Sequence, residues 1–119
     1  MRRLLTLALI LCTAGYAQST SGSLFGTVTD PTGAPIPGAA LEATEISTGV
    51  VTRTTANASG DFLLSSLPIG TYRVEVQQQG FKRYVRPGIE LNVNSNVKLA
   101  IQLEVGAVSE SIDVTGGAA

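Results

Sequence analysis

The chain has 119 residues, which suffices for one domain of ordinary size but not for two that each bury a core. Aromatic residues make up 5% and charged residues 14%, and Val, Thr, Ser, Gly and Ala are plentiful, a mixture that favours short strands over helices. This composition predicts an all-β protein. The absence of histidine excludes Ser-His-Asp and Cys-His catalysis and nitrogen-rich zinc sites, so we also predict that the protein is not an enzyme.

The first residues have the features of a secretory signal peptide. A basic stretch, Met1–Arg3, precedes an apolar stretch, Leu4–Leu11, that is too short to span a bilayer as an anchor. Small residues at Gly15 and Ala17 suit the positions before a signal-peptidase cleavage site. We therefore predict a helical signal peptide over residues 1–17 and export of the protein to the periplasm or the outer membrane.

Cys12 offers a competing interpretation, a lipoprotein signal, but that modification requires a small residue before the cysteine and Leu11 is bulky. Cleavage after residue 17 removes this single cysteine, so neither a disulfide nor a thiol nucleophile remains. It also removes Arg2 and Arg3, which leaves six basic and nine acidic residues and a net charge of −3. Such a chain lacks the electrostatic basis for nucleic-acid binding.

After a flexible lead-in at residues 18–22, apolar and polar residues alternate in short runs that are separated by turn residues. The most regular run, Thr71–Gln77, places Tyr72, Val74 and Val76 on one face and predicts a central strand. Seven short strands at this spacing predict a Greek-key β-sandwich. In chain order the predicted strands are residues 24–29, 39–46, 50–56 (an outer strand), 62–67, 71–77, 89–94 and 97–105. The last of these strands is expected to cover the core with one face, which carries Val97, Leu99, Ile101, Leu103 and Val105.

Turn residues separate these strands. Asp30–Gly38 is dense in proline and glycine, and Asn57–Asp61 predicts a hairpin turn between the third and fourth strands. Asp30 and Asp61 are expected to accept backbone N–H bonds, because a calcium pair would need a denser run of oxygen ligands. Four glycines, Gly33, Gly38, Gly60 and Gly70, are expected in backbone conformations closed to other residues, and Pro68 is expected to fix the entry to the central strand.

The order of these segments resembles the carboxypeptidase regulatory-like domain family. The resemblance is carried by Gly26–Asp30, Gly33–Ala39, Ser59–Phe62, Leu67–Val74 and Gly80–Phe81, and it covers about residues 22 to 104. It implies a seven-stranded, transthyretin-like sandwich of the carbohydrate-binding-like group that accompanies catalytic or transport domains. The expected organisation is therefore a sandwich at residues 23–105, followed by an extended tail or linker at residues 106–119.

The tail narrows the resemblance further. Leu103–Gly116 looks like the join between such a domain and the plug of TonB-dependent outer-membrane receptors. The resemblance implies that the chain is the N-terminal periplasmic module of such a receptor and that it contacts the plug and barrel of that receptor. Since no plug or barrel follows in these 119 residues, the chain is interpreted as a truncated reading frame or a free-standing periplasmic copy.

Aromatic and acidic side chains have both structural and functional interpretations. Phe62, Tyr72 and Phe81 are expected to fill the core rather than stack on a sugar, because large aromatics supply much of a small domain's burial. Glu42 and Glu45 are the carboxylate pair considered for acid-base catalysis, but both are expected on a solvent-facing strand without a cleft. The sequence predicts no catalytic, cofactor-binding or metal-binding residues.

Two features remain for recognition of a partner. Lys82, Arg83 and Arg86 form a basic cluster that is expected on a loop, where it is solvated or touches lipid headgroups or an acidic partner. An unpaired sheet edge can take an added strand from a partner or from the chain's own Ser109–Thr115. The function classes left open are a receptor module acting through protein contacts, a secreted glycan-binding module and a structural spacer without a ligand.

Overall fold

The computed structural model of the chain describes residues 20–107 and 109–113. The predicted signal peptide, its cleavage site and Cys12 lie outside these residues, as do residues 114–119 of the tail. Among the described residues, no helix is long and apolar enough to cross a membrane. The strands are β1 (Ser21–Thr29), β2 (Ala40–Glu45), β3 (Val51–Thr55), β4 (Asp61–Pro68), β5 (Gly70–Gln77), β6 (Arg83–Leu91), β7 (Asn96–Gln102) and β8 (Ser111–Asp113).

Two sheets pack face to face, which confirms the prediction of an all-β sandwich. One sheet has the order β4-β1-β7 and the other the order β3-β2-β5-β6-β8. β5 is central in the larger sheet, as predicted, and β3 is an outer strand, as predicted. The described residues form eight strands rather than the predicted seven, because Ser111–Asp113, within the predicted tail, pairs in parallel with Arg83–Val85 of β6.

Alternation along the strands builds the core. β1 turns Leu24 and Val28 inward, and β5 turns Tyr72, Val74 and Val76 inward, all of them fully buried. Burying one such side chain stabilises the fold by roughly 1.5–3 kcal/mol. The largest fully buried side chains are Tyr72, Leu24, Leu41, Leu67, Leu91, Leu99, Ile101 and Leu103.

The smaller sheet joins the two ends of the domain. β1 pairs antiparallel with β4 and parallel with β7, in continuous register from Ser23 opposite Asn96 to Thr29 opposite Gln102. Gly26 is in the middle of this pairing, where a Cβ atom would overlap the backbone carbonyl of Leu99. Glycine at this position therefore permits the close approach of β1 and β7.

The predicted hairpin at Asn57–Asp61 is wrong. β3 and β4 belong to different sheets, so this turn carries the chain from one layer to the other. It is fixed by hydrogen bonds to the preceding turn region: the Val28 N–H donates to the Gly60 carbonyl at 2.8 Å and the Gly38 N–H to the Ala56 carbonyl at 2.9 Å. Turn composition predicted the reversal of the chain but not the change of sheet.

Other boundaries differ from the prediction because strands extend through, or end before, the expected residues. β1 begins at Ser21, within the expected lead-in, and the basic cluster lies on β6 rather than on a loop, apart from Lys82. Val93 lies in the β6–β7 turn and is exposed. Val105 is 70% exposed rather than buried, because the chain leaves the sheet after Gln102.

Candidate functional site

The turns predicted from sequence are stabilised by their own side chains. Asp30 Oδ1 accepts hydrogen bonds from the Thr32 N–H at 2.8 Å, the Thr32 hydroxyl at 2.6 Å and the Ala34 N–H at 3.0 Å. The Thr32 hydroxyl is the main reason why the pKa of Asp30 lies below its ordinary value. In the second turn this role belongs to Asn57, whose Oδ1 accepts from the Ser59 and Asp61 N–H groups at 2.9 Å each, and not to the predicted Asp61 side chain.

We call these two turns, Asp30–Gly38 and Asn57–Gly60, the Asx pole, because an Asp or Asn side chain organises each. Gly33, Gly38 and Gly60 have φ of 89°, 79° and 77°, as predicted. Gly60 also lacks room for a side chain, since a Cβ atom would lie 2.7 Å from the Val28 carbonyl oxygen. In residues 20–107 and 109–113 no group of three or more His, Cys, Asp and Glu is placed to hold a metal ion.

Glu42 and Glu45 lie on opposite faces of β2. Glu42 faces solvent and pairs with Arg53, whose Nε lies 3.0 Å from Glu42 Oε2. Glu45 is only 6% exposed, which contradicts the expectation of a solvent-facing residue. The two carboxylates therefore do not converge on one substrate position.

Glu45 has a structural environment of its own. Its Oε1 accepts hydrogen bonds from the Ser47 hydroxyl at 2.7 Å and the Thr48 N–H at 3.0 Å, and the Ser47 bond is the main cause that lowers the pKa of Glu45. The carboxylate packs against Gly70, where a Cβ atom would collide with it. Burial, and secondarily the charge of Glu45, raises the pKa of Tyr72.

The aromatic side chains predicted for the core are in the core. Phe62 and Tyr72 are buried, and Phe81 is half-buried and packs against the same cluster. The Tyr72 hydroxyl donates to the Pro68 carbonyl at 2.6 Å, which ties β5 to the end of β4. Sequence reasoning did not single out Phe25, a half-buried aromatic on the outer face of the smaller sheet, between Leu63 and Lys98 in the strand register.

The basic cluster is largely neutralised by acidic neighbours. Lys82 Nζ lies 3.9 Å from Glu104 Oε1, and Arg83 Nη1 lies 3.9 Å from Glu75 Oε1. Arg86 has no ion pair within the described part of the chain. Binding of a lipid headgroup by all three cations would break both of these ion pairs, so the arrangement does not favour a lipid-headgroup site.

The opposite end of the sandwich exposes aliphatic side chains. Five of the seven exposed large hydrophobics of the described residues lie here, in or beside three neighbouring turns: Ile46, Val50, Val51, Ile69 and Val93. We call the turns Ile46–Val50, Ile69–Thr71 and Asn92–Ser95 the uncharged pole, because they contain no charged residue. Clustered exposed aliphatics of this kind mark contact surfaces more often than scattered ones do.

Two shallow depressions adjoin the uncharged pole. One, of about 410 Å³, is lined by Ile69, Thr71 and Asn92 among others. The other, of about 350 Å³, is lined by serine and asparagine residues that include Ser66 and Asn94. These two residues have φ of 58° and 59°, an uncommon conformation outside glycine. Neither depression contains a pair of catalytic groups.

Solved structures of other proteins share this architecture. The Bacillus anthracis TIE protein matches with a TM-score of 0.61 and 26% identity over 72% of this chain and 17% of that chain. Hydroxyquinol 1,2-dioxygenase from Pseudomonas putida matches with a TM-score of 0.59 but only 11% identity, over 76% of this chain and 58% of the dioxygenase. The second match shows a shared fold alone.

A curated relative and a family match give more specific information. The TonB-dependent transporter Oar of Myxococcus xanthus is 28% identical over 110 residues, which are 91% of this chain and 10% of the transporter. The chain thus spans about a tenth of the length of this relative. The carboxypeptidase regulatory-like domain matches residues 23–104, most of the described sandwich. The chain therefore belongs to the carboxypeptidase regulatory-like domain family.

Proposed function

We propose that this chain is a non-enzymatic accessory module, exported by its N-terminal signal, that forms the N-terminal periplasmic domain of a TonB-dependent outer-membrane receptor or a truncated copy of that domain. It acts through protein contacts. The observation that carries this proposal is the similarity to the transporter Oar over 91% of the chain. This chain matches only a tenth of the transporter, so we assign the plug and barrel to the part of the receptor that lies outside the matched region.

The chemistry of the described surface supports an accessory role. The two carboxylates considered for catalysis are used in the fold, since Glu45 is bonded to Ser47 and Thr48 and Glu42 pairs with Arg53. Asp30, which was considered for calcium binding, organises a turn. The hydrogen bonds of Asp30 and Glu45 stabilise their charged forms and lower their pKa values, so these two carboxyl groups are poor proton donors near neutral pH.

The tail supports the proposed connection to a receptor. Ser111–Asp113 adds a parallel strand to the edge of β6, and the Arg83 N–H donates to the Glu110 carbonyl at 2.8 Å. The segment that joins the module to a following domain is thereby part of the larger sheet. In the proposed receptor, this edge segment is a candidate contact for an energy-coupling partner.

The genomic DNA that follows codon 119, read in all frames, tests this proposal. A plug and a barrel encoded there, in frame or behind a frameshift, is the expected result. A stop codon followed by unrelated sequence contradicts both the receptor module and the truncated copy. The module would then be free-standing, and glycan and protein partners would have to be screened directly.

Phe25 favours a second candidate function, glycan binding. It lies on the outer face of the smaller sheet, where an aromatic ring flanked by Thr27 and Ser23 on the same strand face suits stacking and hydrogen bonding to a sugar. The test is co-sedimentation of the protein with insoluble peptidoglycan and chitin. Glycan binding is supported if the protein binds either polysaccharide, the Phe25→Ala variant does not bind and the neighbouring Leu63→Ala variant still binds. It is contradicted if the protein binds neither polysaccharide.

A further inference from the structure

The strand edges of the two sheets differ in how well they are protected. Along β4, the register shifts beside Ser66, which has φ of 58°, and the strand ends at Pro68. The edge of β6 is covered by β8 at Arg83–Val85. Bulges, prolines and covering segments are the usual ways in which proteins block an edge.

Within the described residues β7 has no bulge, proline or covering strand, and its one edge-protecting feature is the charged side chain of Lys98. Its seven residues, Asn96–Gln102, contain no proline, and their register with β1 is continuous. On its other side β7 has no strand partner among residues 20–107 and 109–113. It is a longer edge than β3, which has five residues and is likewise in continuous register with its neighbour β2.

The hydrogen bonds at the ends of β7 show which backbone groups point outward. The Ser23 N–H donates to the Ser95 carbonyl at 2.9 Å, and the Leu103 N–H donates to the Thr29 carbonyl at 2.8 Å. In a parallel ladder alternate residues bond to one neighbour, so the odd-numbered residues of β7 face β1. The N–H and C=O groups of Lys98, Ala100 and Gln102 consequently point to the open side.

A strand added along β7 would lie over the inner face of β6 and β8. The chain after β7 crosses to this side, where Val105 bridges to Phe81 and the Glu104 carbonyl accepts the Lys82 N–H at 2.7 Å. On that inner face the register places Ile112 opposite the buried Tyr84 and Arg86 opposite the buried Val74. Ile112 and Arg86 are both half-buried, so the floor beside the edge combines an apolar side chain with a cation.

We propose that β7 accepts an extended peptide segment of a protein partner as a fourth strand of the smaller sheet, and that this segment carries an apolar residue toward Ile112 and an acidic residue toward Arg86. Backbone hydrogen bonds to Lys98, Ala100 and Gln102 supply the pairing, and the two side chains supply selectivity. This inference rests on the proposed function for the statement that the module acts through protein contacts; it specifies the edge and the partner's chemistry.

Hydrogen exchange of the gene product, purified after export with its own N-terminal sequence, tests the free edge first. The amides of Lys98, Ala100 and Gln102 should exchange at least about tenfold faster than those of Leu99 and Ile101, because only the latter donate within the sheet. Equal protection of both sets in the free monomer would mean that the edge is already covered and would overturn the proposal.

The probe for the partner is a phage-displayed library of random dodecapeptides, selected on the same protein, with the enriched sequences then made as synthetic peptides. Enriched peptides should alternate apolar and acidic residues, and their binding should slow exchange at Lys98, Ala100 and Gln102. Recovery of no binding peptide, or of peptides that protect other amides, overturns the proposal.

Ala100 supplies a matched pair of variants. Ala100→Pro removes an N–H that points away from β1, so it should weaken peptide binding at least about tenfold, whereas Ala100→Val keeps the N–H and should preserve binding. If Ala100→Pro does not fold, Arg86→Gln replaces it, with a loss of about tenfold expected for acidic peptides alone. Unchanged binding to both Ala100→Pro and Arg86→Gln, or an edge filled by a second copy in sedimentation velocity, contradicts the proposal.

These results are separable from those of the proposed function. A plug and barrel downstream with no peptide bound at β7 would leave the receptor assignment standing and remove the strand-addition site. Peptide binding at β7 together with a stop after codon 119 would leave the strand-addition site standing and remove the receptor assignment.

Discussion

The Asx pole and the uncharged pole differ in the exposure of their isoleucine side chains. Ile36, in a turn of the Asx pole, is 5% exposed and belongs to the core, while Ile46 and Ile69 of the uncharged pole are 50% and 46% exposed. Both poles consist of turns that connect strands of the same two sheets. The difference shows that the Asx pole contributes to stability, whereas the uncharged pole leaves apolar surface free for contact with another molecule.

The isoleucine pair gives the largest expected contrast. Ile36→Ala should lower the free energy of unfolding by about 2–4 kcal/mol, because it removes buried methyl groups and leaves a cavity. Ile46→Ala should change it by less than about 0.5 kcal/mol, since its side chain is half exposed. Urea denaturation followed by circular dichroism measures both. Similar losses for the two variants would erase the distinction between the poles.

Two glycines with nearly the same backbone conformation sharpen the comparison. Gly60 and Gly49 have φ of 77° and 76°, but a Cβ atom at Gly60 would press on the Val28 carbonyl and on Pro35, while nothing lies within 4 Å of one at Gly49. Gly60→Ala should cost about 2–3 kcal/mol and Gly49→Ala about 1 kcal/mol, the latter from backbone strain alone. Equal midpoints in urea denaturation would show that crowding at Gly60 is relieved by local movement.

Asparagine side chains should also differ between the poles. Asn57→Ala removes the acceptor for the Ser59 and Asp61 N–H groups and should cost about 1–2 kcal/mol. Asn92, in the uncharged pole, is bonded through its backbone in the described structure, so Asn92→Ala should cost less than about 0.5 kcal/mol. Thermal unfolding of the two variants measures the difference, and Asn57→Asp, which keeps an acceptor oxygen, should recover most of the loss.

Acid should weaken both ends of the sandwich through one carboxylate each, Asp30 in the Asx pole and Glu45 beside the uncharged pole. The pKa values of Asp30 and Glu45 are lowered, chiefly by the Thr32 and Ser47 hydroxyls, so each contributes stability that is complete above the ordinary carboxyl range. This contribution is lost as the pH falls through the lowered folded-state values, below about pH 4. Thr32→Ala should raise the pKa of Asp30 alone and Ser47→Ala that of Glu45 alone, measured by NMR titration of the carboxyl carbons. Unchanged titration in both variants would assign the shifts to other contacts.

The sequence was most informative where alternation is regular. Tyr72, Val74 and Val76 were predicted to face the core and do so, because a central strand with one buried face has few alternative registers. The inward placement of Val105 was wrong, since alternation carries no information about the residue at which the chain leaves a sheet. Val105 instead forms an isolated bridge with Phe81, outside β7.

Sheet membership and surface sites were less predictable. The turn at Asn57–Gly60 has the composition of a hairpin, and its crossing between sheets depends on hydrogen bonds to Val28 and Gly38, which are distant in sequence. The uncharged pole combines residues from three turns that no local pattern connects. Phe25 was placed on the correct strand, but only the packing of the sheets reveals that its face is the outer one.

The parallel pairing of β1 with β7 governs the time at which the domain can fold. The hydroxyl of Ser23 donates to Asn96 across a separation of 73 residues, and between these strands lies nearly the whole sandwich. Closing such a long loop costs conformational entropy before the stabilising contacts form, so folds dominated by contacts between residues far apart in sequence form slowly. Synthesis begins at the N-terminus, so the smaller sheet cannot be completed until the chain through Gln102 has been made. β1 has no parallel partner until then, and the order of the strands therefore disfavours folding before the domain is nearly complete.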